Sequence, residues 1–104
     1  MQAWNELAER KLWLRREFRT YQDRNTELFR NISILSESDF KRENAILLQK
    51  MDDIEEHNKQ NDDEMYACAR TLSLEELGEI SDMTREPIAR DEIKRRTHNL
   101  RPAF

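Results

Sequence analysis

The sequence has one glycine (Gly78), two prolines (Pro87 and Pro102) and one cysteine (Cys68) in 104 residues. Each scarcity excludes something. Disordered and turn-rich chains draw heavily on glycine and proline. Their near absence, in a chain full of Leu, Glu, Arg, Lys, Gln, Ala and Met, points to helix. A lone cysteine closes no intrachain disulfide, which fits a reducing compartment. One glycine cannot build a phosphate-cradling loop. No apolar run approaches the roughly 20 residues that cross a bilayer, and charges recur too often near the N-terminus for a signal-peptide core. The expectation is an intracellular protein of cytoplasm or nucleus, or a virus or phage protein made in a host cell, with no membrane partner. The sequon Asn31-Ile32-Ser33 carries no meaning without secretion.

Apolar content is also low. Hydrophobic residues are 37% and charged residues 38%, the reverse of the balance in a globular domain. A compact monomer needs more apolar surface to offset chain entropy. Long helices that bury a narrow stripe, usually against a partner, need less. The net charge of -4 is uneven, with residues 1–35 at +2, 36–72 at -5 and 73–104 at -1. No region is a polycation, so generic binding to nucleic acid or membrane is not implied. The basic front and acidic middle have complementary sign for pairing between chains.

What is present is a heptad pattern. One position of the repeat holds Trp4, Lys11, Phe18, Asn25 and Ile32; the next holds Leu7, Leu14, Tyr21, Leu28 and Leu35. This is the a/d seam of a coiled coil or bundle helix over residues 4–35. Asn25, polar at an a position, is a candidate for fixing register and oligomer state. Leu12, Trp13, Phe29 and Ile34 lie off the seam and widen the apolar face, as expected of a helix that touches more than one neighbour.

The pattern breaks at residues 36–39, where Ser36 and Asp39 form a helix-start signal. Beyond it the phase jumps. Phe40, Leu47, Ile54, Asn61 and Cys68 form one position, and Asn44, Met51, Asn58, Met65 and Leu72 the other. A jump of this kind reads first as a bend within one long, dimerising helix. A tight turn folding helix two back on helix one is the alternative. The acidic stretch 51–65 reads as the most exposed and least stable part of the second helix, or as a docking surface for a basic partner.

A new section starts at Ser73. Ser73 with Glu76 makes a capping box ahead of Leu74, Leu77 and Ile80. Thr84 is placed to cap a further helix, with Pro87 in its first turn and an end near Thr97. The stretch from Asn99 is expected to be loose unless Phe104 docks. The fold class is therefore all-α: a long heptad-patterned helix, as coiled coil or helical hairpin, over 1–72, then two short helices over 73–104.

Candidate chemistry is thin. His57 lies near Asp53 and Asn61 at helical spacing, but a metal site needs three or four converging ligands. Cys68, between Ala67 and Ala69, reads as a small buried hydrophobe, and neither it nor His98 has a catalytic partner close in sequence. The paired acids have no apolar pocket to raise a pKa. No enzyme activity, cofactor, metal or small-molecule ligand is expected.

One segment has a recognisable look. Ser73-Leu74-Glu75-Glu76-Leu77-Gly78, followed by Met83-Thr84-Arg85-Glu86 and Ile88, resembles the helix-turn-helix of sigma-factor region 4. The resemblance implies that Gly78 permits close helix approach, that Met83 and Ile88 fill the core between the helices, and that Thr84 caps a recognition helix. It also implies that Arg85, Glu86, Ala89 and Arg90 face the major groove, with Lys94, Arg95 and Arg96 near phosphates. The chain departs from the family's pattern at Ser81, Asp82, Asp91 and Pro87, and the segment lacks the basic footprint of a DNA reader.

Two functions follow as expectations. The first is a non-enzymatic protein acting by association, as a homo-oligomer (a dimer first) or with a helical partner, through Trp4, Leu7, Leu14, Phe18, Tyr21, Asn25, Leu28, Ile32 and Leu35. The second is a dimeric DNA-binding regulator that reads DNA through residues 73–98, with Arg85, Arg90, Lys94 and Arg95 on nucleic acid.

Overall fold

The computed structural model of the chain describes residues 1–84 and 86–100. Among these it forms four helices, α1 (Gln2–Arg30), α2 (Glu37–Ala69), α3 (Leu74–Thr84) and α4 (Pro87–Leu100), and no strand. The all-α class holds, and no described helix is long and apolar enough to cross a membrane. Two compact units divide the chain: Arg10–Gln60, and Met1–Glu9 together with Asn61–Phe104.

The unit Arg10–Gln60 is an antiparallel helical hairpin. The helix expected to reach Leu35 ends at Arg30. There Asn31 shares its backbone N–H between the carbonyls of Glu27 and Leu28, and its side-chain amide donates to Glu27 O at 3.0 Å. These bonds satisfy carbonyls that the helix end would leave bare. Helix α2 then starts afresh. Ser36 Oγ accepts the Asp39 N–H at 3.1 Å and Ser36 O accepts the Phe40 N–H at 2.9 Å. Glu37 and Asp39 place negative charge in the first turn, where the helix dipole favours it.

Polar caps on both sides thus turn the chain without glycine or proline, and the bend within one continuous helix gives way to the hairpin. Phe29 meets Phe40 edge to face, with ring centroids 5.0 Å apart, and the Lys50 ammonium lies 5.6 Å from the Tyr21 ring centre. The phase jump has a physical cause: the turn frees α2 to choose its own rotation, so its seam owes nothing to the register of α1.

The other unit packs the start of α1, the end of α2, α3 and α4 around one core. Trp4, Met65, Leu77, Ile80, Ile88 and Ala89 are all buried there, with Leu7, Ala8, Cys68 and Ile93 against them. Asn61, only 2% exposed, donates its side-chain amide to the Leu7 carbonyl at 3.0 Å. The C-terminal part of the acidic stretch is therefore among the best-buried parts of α2, contrary to the expectation of high exposure. Asp63 and Glu64 are exposed and Asp62 is half-buried, on a helix whose inner face carries the buried Asn61 and Met65.

Helix α3 begins with the expected capping box, closed in both directions. Glu76 N–H donates to Ser73 Oγ and Ser73 N–H to Glu76 Oε1, each at 3.0 Å. These bonds hold the Glu76 carboxyl below its ordinary value. Pro87 opens α4, where its missing N–H costs nothing. Thr84 does not cap that helix. It is the last residue of α3, and its hydroxyl donates back to the Ile80 carbonyl at 2.7 Å. Helix α4 runs past Thr97 to Leu100, while Phe104 lies outside the described residues.

Candidate association surface

The two seams are occupied inside the chain. Trp4, Leu14 and Leu28 are buried, and Leu7, Phe18, Tyr21, Asn25 and Leu35 are half-buried. Ile32 alone of the named seam residues is exposed, because it falls in the turn after α1. Every member of the second seam, from Phe40 and Asn44 to Cys68 and Leu72, is buried or half-buried. Knob positions of α1 and α2 in the hairpin unit thus serve each other.

The off-seam residues fare differently. Leu12 is 52% exposed, Trp13 57%, Phe29 50% and Ile34 80%, and on α2 Ile46 and Leu48 are also exposed. All six belong to the hairpin unit. Isolated exposed apolar side chains are ordinary, but a concentration of large ones in a chain this poor in apolar residues is informative.

Near the turn of the hairpin an open groove of about 550 Å³ lies between the helices. Leu28, Leu35 and Leu47 line it together with the exposed Ile34 and Ile46; Arg24 from α1 and Glu43 from α2 also contribute. Arg24 touches the Tyr21 ring at 5.4 Å, and among the described residues neither Arg24 nor Glu43 forms an ion pair. A smaller groove of about 260 Å³ lies along the hairpin beside Leu14, Phe18 and Ile54.

The terminal unit holds a buried charge network centred on Glu92. Glu92 is 4% exposed, and Arg95 grips it with two hydrogen bonds of 2.9 and 2.7 Å. Arg96 adds a third at 3.0 Å and then reaches the carbonyls of Leu72, Ala69 and Arg70 at 2.6, 3.0 and 3.0 Å. Helix α2 has no basic residue in its own last turn, so Arg96 supplies both the donors and the positive charge its C-terminus lacks. The Arg95 bonds first, and then those from Arg96, bring the Glu92 carboxyl down to about 2, against burial that pushes it up. Nothing in the sequence marks this network beyond an i,i+3/i,i+4 acid-base spacing that usually lies on a solvated surface.

The helix-turn-helix expectations divide. Helices α3 and α4 pack together, joined by residues 85–86, and Ile88 fills the core. Met83 does not, being 85% exposed, and Ala89 is fully buried instead of groove-facing. A Cβ on Gly78 would meet nothing within 4 Å, so no close helix approach requires glycine there. Arg90 and Lys94 are exposed, Arg95 is exposed but committed to Glu92, and Arg85 lies outside the described residues. Asp91 accepts a hydrogen bond from the Tyr66 hydroxyl at 3.1 Å. Among the described residues no group of three acidic, His or Cys side chains is arranged to hold a metal ion. His57 is exposed, and Cys68 packs half-buried against the core.

Compared with protein-family models, curated proteins and solved structures, the chain matches none.

Proposed function

We propose that this protein is a non-enzymatic association module whose hairpin unit pairs with a second copy. One observation carries the reading: the seam residues other than Ile32 are buried or half-buried within the chain, while the off-seam set, led by Trp13 and Ile34, is left facing water. Two packed helices cover one stripe of each other, and a further apolar face is what a third or fourth helix normally covers. The basic α1 and acidic α2 favour an arrangement that brings unlike helices of two copies together. Thermal unfolding over a range of protein concentrations tests this, because a species that associates only when folded gains stability by mass action. The midpoint is expected to rise with concentration; a midpoint independent of concentration contradicts the reading.

The packed pair of α3 and α4, with Arg90 and Lys94 exposed on α4, supports a second reading as a DNA contact. A gel shift at low salt tests it, with Arg90→Ala and Lys94→Ala weakening any complex. The burial of Ala89 and the commitment of Arg95 to Glu92 favour the association reading.

A further inference from the structure

We infer that the groove near the turn of the hairpin is a two-fold, self-complementary docking site for the same groove of a second copy. The inference rests on the association reading above and gives it a location. A closed pair requires one patch that supplies both halves of the contact, and this patch does so twice. In shape, it carries a knob, Ile34 at 80% exposure, beside a groove whose floor includes the buried Leu28. In charge, it carries Arg24 and Glu27 on α1 and Glu43 on α2; Glu27 is paired with Arg30, whereas neither Arg24 nor Glu43 has an ion-pair partner among the described residues of its own chain.

A two-fold axis through such a patch sets Ile34 of each copy against the apolar floor of the other. It also sets each Arg24 against the opposite Glu43. A foreign helix needs no such internal matching of knob with hole and cation with anion, so the second copy is the occupant these features favour. The seams need not open, and the turn residues that cap α1 and α2 stay as they are.

The test is sedimentation velocity on the full chain and four samples derived from it. Ile34→Glu places a charge at the knob and is expected to abolish the dimer with helicity unchanged, since a side chain this exposed supports no intrachain packing. Arg24→Glu and Glu43→Arg each set like charges face to face and are expected to weaken self-association by at least about tenfold. An equimolar mixture of these two single variants is expected to regain the dimer. In a mixed pair, both contacts again join a carboxylate of one chain to a guanidinium of the other.

A dimer indifferent to Ile34→Glu overturns the location while leaving self-association standing. A dimer weakened by both charge variants but not regained in the mixture overturns the two-fold pairing. A monomer at all concentrations overturns this inference and the association reading together, and a monomer that captures a different protein assigns the groove to a foreign partner.

Discussion

Arg96 and Glu92 lie one turn apart on α4, and the Arg96 guanidinium joins the Glu92 carboxylate to the carbonyl of Ala69 at the end of α2 and to those of Arg70 and Leu72 just beyond it. One side chain therefore closes the terminal unit from inside. Truncating it removes one of the three hydrogen bonds on the buried Glu92 carboxylate, leaving the two from Arg95, and bares three carbonyls at once. Arg96→Ala is expected to cost about 1–3 kcal/mol through the carbonyls it leaves bare, read as a fall in the urea midpoint. A loss below about 0.5 kcal/mol, the scale of an ordinary surface change, contradicts the role given to Arg96.

The same pair sets an acid dependence. The Glu92 carboxyl titrates near 2 when folded, against an ordinary 4.5. A lowered folded value means that the stabilisation is complete above the ordinary value and is lost as pH falls through the folded one. The stability gap between the natural chain and Glu92→Gln is thus expected to be flat from neutral pH down to about 5 and to close progressively toward pH 2. Unfolding free energies at a series of pH values check this, and a gap that does not change with acid contradicts it.

Asn25 and Asn44 sit at matching levels of the hairpin, between the Phe29–Phe40 and Tyr21–Lys50 contacts, and the Oδ1 of each is buried without a hydrogen-bond partner. Burying a polar atom unpaired costs stability. Changing both to Leu is expected to raise hairpin stability by about 1–3 kcal/mol, measured by denaturant unfolding. The gain comes with looser register, because a buried asparagine penalises slipped pairings. A loss of stability shows that these amides have partners that matter.

Gly78 lies within α3 with open space where a side chain would stand. Gly78→Ala is expected to stabilise the chain by about 0.5–1 kcal/mol, through backbone entropy alone. A destabilised variant shows that glycine is needed there.

Much of this fold was legible in sequence because its signals are local. The heptads located both seams, and the Ser36 and Ser73 caps marked two helix starts by bonds that span three residues. The turn itself was harder to read. One of its contacts is the Asn31 side chain on Glu27 O, and asparagine after a charge-rich helix looks no different from any exposed polar residue. Lone sequence patterns also misplaced Met83 on α3 and Ala89 on α4, because facing within a two-helix unit depends on the rotation of each helix about its own axis, which only packing fixes. The Arg96 network joins residues more than 20 positions apart, beyond any periodic signal. The off-seam residues Leu12, Trp13, Phe29 and Ile34 stay exposed in the hairpin unit. Which face stayed open was set by the hairpin, which spends the seam within one chain.

Sedimentation equilibrium of the unmodified chain, with helicity recorded on the same sample, addresses the central claim most directly. The account predicts a mass of twice the chain that falls toward one chain on dilution. A single-chain mass at every concentration, with full helicity retained, contradicts it.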